Sequence, residues 1–349
     1  MSTWRDAVLY ERLPKSEGGR LRCVLCPFGC ALADGQRGRC HVRMRRGDQL
    51  VTSTFASAVA HLDAIERKPF YHFQPGTKAL TLAPGGCTFT CDYCVNHRVS
   101  QLGRDPSARV DAEPVDAAAV VREAASDGAC VALSYSEPGL APELTLALAD
   151  AGQAAGVDVV WKTNGFLTRQ AADLIGPRLA AANVDVKAAN DRDHRRLTGA
   201  PVAPVIETIS RLRGHGVWVE VSTPLIPGVS AEPAALRAIA NAIAEIDPDI
   251  PWHLLRFTPV YRMSDADPTS PAALGAAREI GFEAGLRYCY VERALGEQGR
   301  NTLCRGCGAV LLERAVWGLA TNHLTGDGNC PACRETLPGR WNLRVPPAS

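Results

Sequence analysis

Three cysteines spaced C-x3-C-x2-C, Cys87, Cys91 and Cys94, lie in the stretch Gly85-Gly86-Cys87-Thr88-Phe89-Thr90-Cys91-Asp92-Tyr93-Cys94, directly after the apolar run Ala79 to Ala83. A 4Fe-4S cubane takes four ligands and this loop offers three thiolates, so one iron would stay open. The amino and carboxylate groups of S-adenosylmethionine can chelate an open iron, which sets the sulfonium beside the cluster for one-electron reductive cleavage. Gly85 and Gly86 let the backbone turn sharply off a strand, and Tyr93 is placed to pack against an adenine. A competing use of the same residues is a zinc site in which His97, three residues beyond Cys94, joins the three thiolates as fourth ligand. A motif acquires meaning from its structural context, and the surrounding sequence has to decide between the two.

The length of 349 residues gives room for about two domains and a sizeable core. A formal net charge of +1 provides no bulk attraction to nucleic acid or to an anionic membrane. Arg37, Arg39, Arg43, Arg45 and Arg46 form a local basic patch. It reads as a solvated face beside a metal site rather than a nucleic-acid groove, because few aromatics are interleaved to stack bases. No apolar stretch approaches the ~20 residues of a membrane helix, and Met1 to Lys15 lacks the apolar core of a signal peptide. A cytoplasmic protein is expected.

The thirteen cysteines group by metal-ligand spacing rather than as disulfide pairs, as expected in a reducing compartment. Cys23, Cys26, Cys30 and Cys40, spaced C-x2-C-x3-C-x9-C with turn residues at Pro27, Gly29, Gly35 and Gly38, read as a closed four-thiolate knuckle. Its ligand type suits zinc and a second iron-sulfur cluster equally. Near the other end come Cys304-x2-Cys307, twenty-two residues, and Cys330-x2-Cys333. This pair of C-x2-C knuckles reads as a zinc ribbon with structural zinc, a rubredoxin-like iron or a cluster being the alternative. Cys130 and Cys289 sit in apolar strand-like runs and read as packing residues.

From Ala79 onward strand and helix signals alternate. Strands are expected near 79–83, 129–135, 157–162, 183–187, 217–223 and 252–258, and helices over 114–126, 140–154, 168–180, 203–214 and 232–246. Six such units predict an α/β fold, a partial (β/α)6 TIM-like barrel, with functional residues at the strand C-terminal ends. Cys87, then Ser134, Ser136 and Glu137, then Thr163 and Asn164, then Asp185 and Lys187 would all face one mouth. A zinc knuckle has no need of such a ring, whereas a zwitterionic cofactor does. A further helix is expected over 268–285 and a strand over 286–292. The division expected is an N-terminal extension with the four-cysteine knuckle (1–76), the barrel (77–295) and a zinc-ribbon-like module (296–349). Asp63, Glu66, Lys68 and His72, near Phe70, Tyr71 and Phe73, read either as the lining of a site mouth or as surface packing.

With these residues in view, the chain resembles the radical SAM member of the AmmeMemoRadiSam system, itself similar to pyruvate formate-lyase activating enzymes. The resemblance is carried by Arg22-Cys23-Val24-Leu25-Cys26-Pro27, Lys68-Pro69-Phe70-Tyr71-His72-Phe73, the three-cysteine loop, Lys162-Thr163-Asn164-Gly165, Asp185-Val186-Lys187, Trp252-His253 to Met263, and Asn301-Thr302 leading into the terminal ribbon. It implies Cys87, Cys91 and Cys94 as cluster ligands, Ser136-Glu137 as the motif that binds the cofactor's amino group, and Asn164, Asp185 and Lys187 as contacts to its ribose or methionine part. Ser136 departs from the asparagine that relatives often show there. Where the activating enzymes can carry an aspartate that binds a monovalent cation, this chain has Lys162, which either takes the cation's place and pairs with Asp185 or, if the strand's alternation turns it outward, points to solvent. The implied activity is reductive cleavage of S-adenosylmethionine to a 5'-deoxyadenosyl radical that abstracts hydrogen from a small-molecule or protein substrate, an oxidoreductase chemistry fed by an electron donor such as flavodoxin or ferredoxin. Two other readings stand beside it: an activase that installs a glycyl radical on a partner enzyme, and a non-catalytic zinc-ribbon adaptor.

Overall fold

In a computed structural model that describes residues 4–108, 111–291, 293 and 295–341, the chain is organised around one eight-stranded sheet. Its strands are β1 (Ala60–Ala64), β2 (Lys78–Leu82), β3 (Ala129–Leu133), β4 (Val159–Thr163), β5 (Ala181–Asp185), β6 (Trp218–Leu225), β7 (Trp252–Arg256) and β8 (Cys289–Tyr290). Their spatial order follows the chain from one edge to the other. β2 to β8 run parallel, and β1 lies antiparallel on β2, with Ala60 opposite Leu82 and Ala64 opposite Lys78.

Parallel neighbours need crossover connections. These are α1 (Ala117–Ser126), α2 (Pro142–Ala155), α3 (Arg169–Ile175), α4 (Asp191–Thr198), α5 (Ala203–Gly214), α6 (Pro233–Ile246) and α7 (Pro271–Glu283). The helix starts are written locally. Asp116, Thr168, Asn190 and Ser270 each accept a hydrogen bond from a first-turn amide, and proline opens α2, α6 and α7, where its missing N–H has no intrahelical partner to lose. β3 and β6 are buried at every position, which is why they read as continuous apolar runs rather than alternating ones.

The fold is thus the mixed α/β architecture with a parallel central sheet that the alternation predicts, and all six expected strands form. Two edges extend it. The segment expected as a separate strand over 286–292 contributes Cys289–Tyr290 as a seventh parallel strand, with Glu292 lying outside the described residues. β1 comes from the stretch assigned to the N-terminal extension. α4 is a helix that apolar periodicity does not announce, because its sequence Asp-Arg-Asp-His-Arg-Arg is nearly all charge. Its stability comes from the Asn190 cap, acids in the first turn and Arg195 and Arg196 in the last, an arrangement that complements the helix dipole.

Before the sheet, two small three-stranded antiparallel sheets carry the N-terminal cysteines; after it, Thr302–Leu303, Val310–Ala315 and Gly318–Asn322 form a third. That third sheet is tied to the N-terminal ends of the parallel strands through a fully buried carboxylate. Glu220, near the start of β6, accepts from the backbone N–H of Tyr71 (3.0 Å) and His72 (2.8 Å), from Trp218 Nε1 (3.0 Å) and from His253 Nε2 (2.6 Å). Burial alone would raise its pKa, but hydrogen bonding and charge from His253 and His72 overcome this and hold it below the usual range. Arg314 then donates to Tyr71 O at 2.7 Å, and Arg340 N to His72 O at 2.7 Å. Glu66 and His72 are therefore buried ties rather than a site mouth or surface packing, and Lys68, also buried, bonds Tyr135 at 2.9 Å. The basic patch also needs correcting: Arg43 is 1% exposed and paired with Glu143 at 2.9 Å. Cys130 and Cys289 are buried within β3 and β8.

Candidate functional site

The polar residues that end successive parallel strands meet around one pocket of about 360 Å³, within the range of small-molecule sites. The turn after β2 contributes Cys87, Cys91, Tyr93 and Cys94; β3 is followed by Ser134, Tyr135, Ser136 and Glu137; β4 ends in Lys162, Thr163 and Asn164; β5 leads to Asp185 and Lys187; and β7 adds Arg256, Phe257 and Thr258. All lie at carboxyl ends of strands, where open parallel sheets bind ligands.

The cysteine loop is held from several sides. Gly86 has φ 95°, and a Cβ there would meet Val42 Cγ1 at 2.7 Å and Cys40 O at 3.3 Å, so only glycine permits the approach. Thr90 N donates to Thr198 O at 2.9 Å, which fastens the loop to the end of α4. Asn164 Nδ2 donates to Thr88 Oγ1 at 2.8 Å and points at Cys87 Sγ at 3.5 Å, and Phe89 N reaches the same sulfur at 3.3 Å. Such N–H groups favour a charged sulfur. Burial pushes the Cys91 thiol up to about 12, so holding it as a thiolate takes a bound cation. The three thiols do not all lie within 4.8 Å of one another, and among the described residues His97 forms no compact ligand group with them. Its ring stacks on Tyr261 with centroids 4.4 Å apart, and its Nδ1 lies 3.2 Å from Cys94 O. Among the described residues the compact zinc arrangement of three cysteines and one histidine is therefore not formed.

Glu137 is 2% exposed and accepts from Gly139 N (2.7 Å), Thr163 Oγ1 (2.6 Å) and Asn164 N (2.8 Å). Burial pushes its pKa up to about 7 against these donors. Ser136 Oγ donates to Pro84 O, which turns this hydroxyl toward the cysteine loop's backbone. Lys162 pairs with Asp185 and donates to Asn183 Oδ1 at 2.7 Å; Lys187 Nζ lies 2.8 Å from the other Asp185 oxygen. Burial works to raise the Asp185 pKa, and the two ammonium groups overcome it, leaving the carboxyl below its ordinary value. Lys187 Nζ also stands 5.8 Å from the Tyr93 ring centre.

One rim residue has no sequence signal. Tyr135 adopts φ 68°, a conformation rare for a bulky side chain. Its hydroxyl donates to Asp63 Oδ2 at 2.9 Å and accepts from Lys68 at 2.9 Å, and its ring stacks on His61 at 5.7 Å. Burial would raise Asp63, but hydrogen bonds from Lys68 and His61 win and hold it down at about 2. Ser-Tyr-Ser at a strand end gives no hint of a left-handed tyrosine. Arg256 and Thr258, by contrast, follow from applying the strand-end rule to the sixth expected strand.

The two four-cysteine sets differ. In the terminal ribbon the ligand atoms of Cys304, Cys307, Cys330 and Cys333 all lie within 4.8 Å of one another, with Sγ pairs at 3.4 and 3.7 Å. That spread suits four sulfurs bound at about 2.3 Å around one tetrahedral ion. Cys23, Cys26, Cys30 and Cys40 line a closed cavity of their own. Among the described residues no helix is long and apolar enough to cross a membrane.

The model of the radical SAM superfamily matches residues 83–238. The chain is 30% identical over 336 residues to an uncharacterized protein of Methanocaldococcus jannaschii, a match that covers 95% of this chain and 98% of that one. It is 28% identical over 136 residues to the isethionate sulfite-lyase activating enzyme of Oleidesulfovibrio alaskensis, covering 38% of this chain and 44% of that enzyme. A domain of a pyruvate-formate lyase-activating enzyme from Bacteroides vulgatus superposes with a TM-score of 0.39 at 20% identity, over 46% of this chain and 98% of that one.

Proposed function

Because the chain belongs to the radical SAM superfamily, we propose that Cys87, Cys91 and Cys94 ligate a 4Fe-4S cluster and that the pocket beside them binds S-adenosylmethionine. The observation that carries this is the meeting of the three-cysteine loop with the polar ends of β3, β4 and β5 on one pocket. A cluster held by Cys87, Cys91 and Cys94 would supply one-electron reductive cleavage of S-adenosylmethionine to methionine, with radical abstraction of hydrogen from the substrate as the resulting chemistry.

The chain's own residues bind and orient. Glu137, kept in place by Thr163 Oγ1 and two backbone amides, offers its remaining lone pairs to the cofactor's ammonium beside Ser136. Asn164 braces the cysteine loop through Thr88 and borders the ribose. Asp185 and Lys187 take the methionine or ribose end, and Tyr93 faces the adenine. The sheet forms the wall of a partial barrel, flanked by an N-terminal extension (1–76), whose Ala60–Ala64 strand joins the sheet's edge, and by a ribbon module (296–349) that holds structural zinc. A flavodoxin or ferredoxin supplies electrons, in a cytoplasmic setting where thiols stay reduced. The motifs around Cys23, Lys68, Lys162 and Asp185 support the AmmeMemoRadiSam type as the reading of this chain. A second reading, activation of a partner enzyme by installing a glycyl radical, is supported by relatives named as activating enzymes of isethionate sulfite-lyase and benzylsuccinate synthase. A glycyl-radical signal in a co-incubated partner would select it.

The test is anaerobic reconstitution with iron, sulfide and reductant. The intact protein should convert S-adenosylmethionine to methionine and 5'-deoxyadenosine, and the Cys87→Ala/Cys91→Ala/Cys94→Ala variant should not. Equal cleavage by that variant would sink the assignment.

A further inference from the structure

Tyr135 stands in the left-handed region at φ 68°, where a bulky side chain is an outlier and glycine or asparagine the usual occupant. Backbone held in such a state persists only where its surroundings over-determine it, and it clusters at functional sites. The surroundings here are a clamp on the rim of the pocket. Asp63 on β1 accepts at Oδ2 from the Tyr135 hydroxyl (2.9 Å) and from Lys68 Nζ (3.0 Å). His61 Nε2 lies 2.7 Å from the same oxygen, and Arg67 Nη1 lies 3.0 Å from the other. Lys68, 1% exposed, also donates to the hydroxyl at 2.9 Å and stands 4.4 Å from the ring centre. A buried ammonium without such partners would be costly, so Lys68 is fixed on Asp63 and Tyr135 together.

The backbone of the same turn faces the cysteine loop. Ser134 N donates to Leu82 O at 3.0 Å and Glu137 N to Gly86 O at 3.2 Å, with Ser136 Oγ bonded to Pro84 O between them. The residues after β3 thus run alongside the residues after β2, up to the glycine before Cys87. Tyr135 is where this ladder is fastened to β1 and Lys68. Two residues on, Glu137 gives Oε1 to Gly139 N and Thr163 Oγ1 and accepts at Oε2 from Asn164 N, which leaves a lone pair on Oε2.

We propose that Tyr135 is a positioning residue: clamped by Asp63 and Lys68, its left-handed turn sets Ser136 and Glu137 against the cysteine loop and so fixes the acid assigned to the cofactor's ammonium. A tyrosine stands there in place of glycine because the turn needs an anchor more than an unstrained backbone. The setting of the turn stands by itself; its consequence for S-adenosylmethionine rests on the function proposed above.

The experiment uses the reconstituted full chain, intact and as Tyr135→Phe, Tyr135→Gly, Glu137→Gln and the double variant Tyr135→Phe/Glu137→Gln. Phenylalanine keeps the ring and loses the hydroxyl; glycine suits the turn and loses the anchor. Amide hydrogen exchange over 134–139 is read without cofactor. Affinity for S-adenosylmethionine is read from the shift it causes in the electron paramagnetic resonance of the reduced cluster. Tyr135→Phe should exchange about ten-fold faster over 134–139 and bind the cofactor about ten-fold more weakly, with iron content unchanged. Tyr135→Gly should lose at least as much affinity. In the Glu137→Gln background the Tyr135→Phe change should cost under about two-fold, because a residue that acts through Glu137 has nothing left to position. A general structural loss would repeat in full there. The same loss in both backgrounds, or a Tyr135→Gly protein that binds as tightly as the intact one, would overturn the proposal, and the phenylalanine pair decides it even if the glycine variant fails to fold. An intact protein that binds no S-adenosylmethionine would refute the function proposed for the pocket. Exchange still decides the clamp in that case, since unchanged rates in Tyr135→Phe would overturn it.

Discussion

Asp185 carries two ammonium groups at once, Lys162 on one oxygen and Lys187 on the other, in the pocket where a positively charged cofactor is proposed to bind. The pairing follows from register. Lys162 on β4 lies opposite Asn183 on β5, and Asp185, two residues on, projects from the same face as Asn183. Sequence alone shows a lysine where related enzymes can carry an acid, but a one-residue slip would turn that lysine to the other face, so only the register settles the contact. An internal ammonium makes an external monovalent cation unnecessary. Replacing potassium by a bulky organic cation should hardly alter cofactor cleavage by the intact enzyme. Lys162→Ala removes a charge-assisted bond of about 1.5 to 3 kcal/mol and should lower activity roughly ten- to a hundred-fold, with partial recovery on adding potassium. A strict potassium requirement in the intact enzyme would count against this arrangement. Glu137 was legible as a strand-end acid; that three donors from β4 and the turn at Gly139 already engage it was not, because those partners are remote in sequence or set by backbone geometry.

At the scale of elements, apolar periodicity locates the strands and most helices, yet it is silent about close approach. α2 illustrates this. The sequence marks its start with Pro142 and its end at Gly156, and Gly152 within it reads as a weak helix residue that alanine would improve by about 1 kcal/mol. In the fold, however, a Cβ at Gly152 would stand 2.4 Å from Val157 O, on the chain turning into β4. Backbone cannot yield as a side-chain tip can. Gly152→Ala should therefore destabilise, by about 1 to 3 kcal/mol, read as a lower urea midpoint with unchanged slope. A stabilised variant would show that the turn relaxes freely. α4 is the opposite case, a helix hidden from periodicity because caps and charge order, rather than an apolar stripe, account for it.

For the molecule as a whole, the sequence separates three cysteine sets but does not say where the last one docks. The ribbon packs on Tyr71, Tyr288 and Tyr290, and the Glu220 carboxylate that holds Tyr71 and His72 lies near the start of β6, whereas Pro224 and Arg256 near the strand ends line the pocket. Four residues of strand at about 3.3 Å each separate the two levels, which puts the ribbon's contacts with Tyr71 and Tyr290 a strand's length from the proposed chemistry, while Trp317 at its hairpin tip reaches Arg67 on the pocket wall. Its metal should consequently act on stability and leave the pocket's chemistry alone. The contacts are buried and shared: Arg314 donates to Tyr71 O and to Thr302 Oγ1, and the chain at Arg340 bonds back to both His72 and Gln74. Loss of the metal removes the folding energy of the four-thiolate site and exposes one side of that hub. Removing the ribbon's metal with a chelator, or substituting Cys330→Ala, should lower the melting temperature by at least roughly 5 °C. Unfolding should remain one transition, because the ribbon and the sheet both hold Tyr71, His72 and Tyr290. The barrel-side cluster signal should persist below that temperature. Two well-separated calorimetric transitions in the metal-loaded protein would show instead that the ribbon is an independent appendage.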